Sequence, residues 1–204
     1  MSTLSTTNLK NPSSGSNNIV LATDGSATIA TLSSTTITGT TIQGTIKSGT
    51  AVASTSGTSI DFTSIPSWVK RITVMFQGVS TSGTSIVQVQ LGTSGGIETS
   101  GYTGSTSAVA ASTVASVANS AGVQVYGAAF SAASSISGLI NFSLFSSATN
   151  TWVYGGGCGF SNTTATGNAQ GNKSLSGTLD RVRITTVNGT DTFDAGTINI
   201  LYEG

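Results

Sequence analysis

Histidine is absent from the 204 residues, and cysteine occurs once, at Cys158. Without His, the Ser-His-Asp and Cys-His arrangements of nucleophilic catalysis are excluded. One Cys forms no intrachain disulfide, and it falls short of the His and Cys ligands that zinc usually takes. Charge is scarce too. Only 7% of the residues are Asp, Glu, Lys or Arg, against about 25% in typical soluble chains. Seven basic residues balance seven acidic ones. The basic residues are scattered, whereas polyanion binding needs clustered cations, so nucleic acid is not an expected partner. No apolar run approaches the 18 or so residues of a membrane-spanning helix, and no membrane insertion is expected. The opening residues Met1-Ser2-Thr3-Leu4-Ser5 lack the charged and apolar regions of a signal peptide, which points to synthesis in a cytoplasm without export by that route.

The carboxylates are too few for much chemistry. They are Asp24, Asp61, Glu98, Asp180, Asp191, Asp194 and Glu203. A glycosidase needs two of them flanking one bond. Asp191 and Asp194 are close in sequence, but beside Gly189 and Gly196 they read first as turn residues. As calcium ligands they match no EF-hand spacing. Gly155-Gly156-Gly157-Cys158-Gly159 lacks the Lys-Ser/Thr and the following helix of a phosphate-binding loop, and reads as a bulged strand end or loop. Cys158, among apolar neighbours, reads as a small buried residue. No catalytic residue, metal site or cofactor is expected.

What the chain has is Ser and Thr, about a third of it together, and 26 Gly. Thr suits a pleated surface because its β-branch fits the strand while its hydroxyl stays wet. Gly and Ser favour turns. Glu occurs at two positions and Lys at four, so strong helix formers are rare. This composition predicts an all-β chain.

Its parts differ. All 13 aromatic residues lie at or after Phe62. Residues 1–60 hold only small apolar clusters, too few to offset an ordering cost of about 1–2 kcal/mol per residue. Gly39-Thr40, Gly44-Thr45 and Gly49-Thr50 recur at a step of five, with Ile37 before the first and Ile42 and Ile46 between them. That spacing predicts an intertwined shaft of short strands whose isoleucines meet across several copies; a Ser/Thr/Gly linker is the competing reading.

Residues 61–204 read as a compact β-sandwich head, jelly-roll-like, of seven or eight strands. Val69–Val79 predicts a strand, with Ile72, Val74 and Phe76 alternating against Arg71, Thr73 and Met75. Ile86–Leu91 predicts its hairpin partner, with Val87, Val89 and Leu91 inward and Gln88 and Gln90 outward. Residues 91–107 read as a long loop holding Tyr102. Strands are expected near 122–130, 137–146, 151–160, 173–187 and 197–202, and residues 107–121 fit either helix or strand. Asn188-Gly189 is a type I′ hairpin signal. Trp68, Tyr102, Trp152 and Tyr154 are candidates for surface contact with sugars or partners, Tyr102 foremost, with core or loop packing as the alternative. Trp68, after Pro66, reads rather as a plug between shaft and head.

Two blocks, SGTSIDFTSIPSWVKRITVMFQGVSTSGTS (56–85) and SGTLDRVRITTVNGTDTFDAGTINILYEG (176–204), resemble a module of tailed-bacteriophage structural proteins. The segment LKNPSSGSNNIVLATDGSATI looks like the start of the shaft of the same proteins; residues 100–172 carry no such likeness. The resemblance implies a homotrimeric virion fibre, attached to other phage structural proteins through its N-terminus. Its head would contact a host-surface glycan or protein through loops near 92–107 and 160–172. A collar fibre or capsid decoration protein without receptor binding fits the same residues.

Overall fold

The computed structural model describes residues 46–204 without a break, together with residues 8–9, 13, 15, 19–21, 23 and 27–29. The chain forms two compact units, Met1–Gln43 and Gly44–Gly204. No helix occurs among the described residues, and every strand pairing is antiparallel.

In the first unit, β1 (Asn8–Leu9), β2 (Ile19–Leu21) and β3 (Ala27–Ile29) form a small sheet in that order. Ile19 stands opposite both Leu9 and Ile29. Ile37 and Ile42 lie outside the described residues.

The second unit begins earlier than the expected boundary near residue 60. Its first strands, β4 (Ile46–Ser48) and β5 (Val52–Ala53), both pair with the last strand, β17 (Phe193–Glu203). Gly49 and Ser54 also donate backbone hydrogen bonds to Ile200 and Gly196, at 2.7 and 2.9 Å. Ile46, expected in the shaft, is therefore part of this unit, and 61% of its surface is exposed.

The larger sheet also contains β7 (Arg71–Thr81), β10 (Tyr102–Ala110), β11 (Thr113–Ala118), β13 (Ile136–Ser146), β14 (Thr151–Phe160) and β15 (Ala165–Ser174). Its order is β11-β10-β15-β14-β13-β7-β17-β4, with β5 also on β17. The smaller sheet contains β6 (Ser59–Phe62), β8 (Val87–Thr93), β9 (Gly96–Ile97), β12 (Val123–Gln124) and β16 (Arg181–Thr186). Its order is β12-β8-β16-β6, with β9 on β8. The arrangement is sandwich-like. Ile72, Val74, Phe142, Ile140 and Ile200 from the larger sheet and Val87, Val89, Leu91, Val182 and Ile184 from the smaller one belong to one buried cluster.

Alternation explains most of these strands, since successive side chains point to opposite faces. Ile72, Val74 and Phe76 of β7 are buried as expected. The expected hairpin of β7 and β8 does not form. Strand β7 has β13 on one side and β17 on the other, so residues 82–86 carry the chain to the other sheet. Gln88 and Gln90 are buried, not outward in water. Gln90 Nε2 donates to the Ala121 carbonyl at 2.9 Å, and Gly122 packs against both Gln side chains. Asn188-Gly189 is not a hairpin turn either. Gly189 N–H donates to the Thr186 carbonyl, only Gly189 of the pair has positive φ, and the turn leads from β16 to β17, across the sheets. Residues 107–121 resolve as strand: β10 and β11 form a hairpin around Ala111-Ser112. The expected strand at 173–187 is two pieces, β15 ending in one sheet and β16 beginning in the other.

Candidate functional site

Three aromatic residues carried the contact reading, and the register shows what each does. On the inner face of the larger sheet, Tyr102 stands opposite Lys173, and Lys173 opposite Trp152. In the next row Gly104 stands opposite Gly171, and Gly171 opposite Tyr154. Tyr102, Trp152 and Tyr154 are thus brought together, but on the core side, and all three are buried. This corrects the expectation of an exposed platform. Tyr102 opens a strand rather than sitting in a loop. Its hydroxyl accepts the Leu91 N–H at 2.6 Å and so ties the two sheets together. Burial pushes its pKa well above the usual range.

Tyr154 covers two glycines. A Cβ on Gly171 or Gly104 would lie 2.4 or 2.5 Å from the Tyr154 hydroxyl. The missing side chains leave room for the ring to cross the sheet. The hydroxyl accepts Asn119 Nδ2 at 3.2 Å, and Asn119 also donates to Thr106 Oγ1 at 3.0 Å. Thr106 Oγ1 lies 2.8 Å from the Gln124 carbonyl, as its donor. This buried polar cluster is satisfied within itself, as a stable core requires.

Lys173 is the buried charge, 4% exposed. Its ammonium donates to Glu98 Oε2 and the Ser174 carbonyl, each at 2.5 Å, and lies 5.6 Å from the Tyr102 ring centre. Glu98 also accepts the Ser176 N–H and hydroxyl at 2.8 and 2.7 Å. Partial burial raises the Glu98 pKa, but these bonds outweigh it and hold the carboxyl below its ordinary value. The pair pins the 94–101 connection to the end of β15.

The two Asp candidates do not converge. Asp191 accepts the Ser85 N–H at 2.9 Å and Asn188 Nδ2 at 2.7 Å, and these bonds lower its pKa. Alongside, Ser82 N–H donates to the Thr192 carbonyl at 2.8 Å, and Thr192 N–H to the Ser82 hydroxyl at 3.1 Å. The two cross-sheet links, 82–86 and 187–192, are thereby clamped side by side. Asp194 takes the Ser80 hydroxyl instead. Among the described residues no three His, Cys, Asp or Glu side chains gather as a metal site. Cys158 stands between Gly138 and Gly167 in the sheet, and burial pushes its thiol up to about 12. A thiol so held is inert at neutral pH.

The two expected contact loops lie at opposite ends of the larger sheet, because β15 runs from Ala165 at one to Ser174 at the other. At the Arg71–Glu203 end, Trp68 is 38% exposed, with Lys47 Nζ 5.7 Å from its ring and Gly204 packed against it. Phe145, which sequence reasoning missed, is 76% exposed at the register shift between Leu144 and Ser146. At the other end, the turns at 111–112 and 161–164 flank a shallow, uncharged hollow of about 340 Å³, lined by Val109, Ala110, Ala111, Thr164, Ala165 and Thr166.

No family model matches the chain, and no curated protein or solved structure matches it.

Proposed function

We propose that this chain is a structural subunit of a virion appendage, a short fibre of the tailed-bacteriophage type. In this reading residues 1–43 attach and assemble the fibre as a homotrimer, with Ile37 and Ile42 in the shaft core. Residues 44–204 form a jelly-roll-like head. The observation that carries the reading is the division itself. A two-sheet unit with its polar core groups satisfied follows an N-terminal segment holding no aromatic residue and only Lys10 and Asp24 as charges. The head then works by its own surface shape, and no step of its task calls for a titrating group.

Host contact, in this reading, falls to the hollow between the 111–112 and 161–164 turns. That end lies away from Ile46, where the described chain enters the head. Its hydroxyls and small apolar groups suit an uncharged glycan or protein surface. The burial of Tyr102, Trp152 and Tyr154 favours a second reading, a collar fibre or capsid decoration protein that binds no receptor. Binding of labelled full-length protein to bacterial cells separates the two. Saturable binding that Thr164→Asp reduces at least tenfold supports host contact; no binding leaves the purely structural role.

A further inference from the structure

A sheet edge is a row of unpaired N–H and C=O groups, and folded proteins guard such rows with charge, Pro, short strands or a covering segment. The second unit has four edges, and three are guarded. At one end of the larger sheet, β4 and β5 are three- and two-residue strands, separated by Gly49-Thr50-Ala51 and carrying Lys47. The smaller sheet ends at β12, two residues long, and at β6, where Asp61 receives Arg183 Nε at 2.7 Å.

The fourth edge is β11, Thr-Val-Ala-Ser-Val-Ala at 113–118. Its six residues pair with β10 on one side and with nothing on the other among the described residues. It contains no charge, no Pro and no Gly. Val114 is 86% exposed, and Val109, directly opposite it on β10, is exposed as well. No charged residue occurs anywhere in 99–172, which spans β10, β11, β13, β14 and most of β15.

We infer that β11 is a pairing edge whose occupant is β11 of a second copy, aligned antiparallel about a two-fold axis. Several observations select a copy of the same chain. The formal net charge is zero, and the strand and its neighbours bring no like charges together. An antiparallel pairing centred on Val114 keeps each residue on its own face of the sheet and continues the Val109–Val114 strip across the axis; one centred on Ser116 pairs residues 114–118 and sets Val114 opposite Ala118 of the copy. The two-fold contact is closed and adds no further copies at that edge. Such a register pairs at most five residues a side, a contact well below the roughly 1,200 Å² of a stable interface, so it is weak and concentration-dependent. It is separate from the shaft proposed above and does not rest on it.

The test is a dilution series of the full-length protein by sedimentation, beside Ser116→Lys. Ser116 is exposed and mid-strand, and its substitution leaves the core untouched. The inference predicts that wild-type mass at least doubles with concentration, from whatever mass the shaft sets at high dilution, since a trimer brings three such edges. Ser116→Lys, with unchanged circular dichroism, stays at the dilute value. Amide exchange in 113–118 slows with concentration in the wild type only. A wild-type mass independent of concentration, or a doubling that survives Ser116→Lys with 113–118 exchanging freely, overturns it. If the shaft reading fails, the dilute mass is one chain, yet the doubling and its loss remain visible.

Discussion

At the scale of single residues, the core is held by a few polar groups placed where an apolar side chain could not replace them. Tyr102→Phe strips the Leu91 N–H of its partner and is expected to cost about 1–3 kcal/mol by denaturant unfolding, the penalty of an orphaned buried donor. Glu98→Ala leaves the Lys173 ammonium buried beside Tyr102. Loss of one partner of a fully buried pair costs about 3–5 kcal/mol; here about 2–3 kcal/mol is expected, since Glu98 keeps contact with water. Gly171→Ala places a methyl against the Tyr154 ring and the Thr103 carbonyl, so it should destabilise more than Gly155→Ala, whose Cβ meets nothing closer than 3.8 Å. Tyr102 also shows why residue roles were only half legible. A tyrosine flanked by Gly and Thr reads as loop from local composition. The signal that placed it inside was non-local: its hydroxyl meets the Leu91 N–H of the other sheet, and its ring lies beside the Lys173 ammonium.

Elements were legible where one face is buried and the other wet. The buried alternation of Ile72, Val74 and Phe76 emerged from period two alone, and strands lie near 137–146 and 151–160 as expected. Strand partners were not legible, because β7 already has a neighbour on each side and local spacing carries no such information. Gln88 and Gln90 misled for a related reason: the segment at 121–122 comes back to cover them. Strands β4 and β5, which precede the expected boundary, were not legible, since they are too short to show a period and are held by backbone bonds to β17. That yields an element-scale prediction. A chain lacking residues 1–43 keeps the head's strand content by circular dichroism and its melting temperature. A chain lacking residues 1–55 loses β4, β5 and the Ser54 bonds to β17, and melts lower. Equal melting of the two places the boundary near 60 after all.

At the scale of the whole molecule, charged groups among the described residues tie together segments distant in sequence. Glu98 and Asp191 both have pKa values held below their ordinary 4.5 and 3.8. A depressed carboxylate stabilises the fold fully above its unfolded pKa and loses that contribution as pH falls through the folded one. With no His to titrate, stability should be flat from about pH 5.5 to 8 and should fall only below about pH 4.5. Asp191→Asn should remove part of that acid slope in thermal melts, and a transition centred near pH 6 would contradict the assignment. The candidate site was the least legible level. Composition excluded the common chemistries, but contact surfaces depend on which side chains the second sheet covers, and that follows from topology.

The central claim, an appendage subunit assembled through its N-terminal segment, is tested most directly by the molar mass of the dilute full-length protein, from light scattering coupled to size exclusion. The account predicts the mass of three chains, early elution for that mass, and its loss on Ile37→Ser with Ile42→Ser. A compact monomer, or three chains that survive those substitutions, would contradict it.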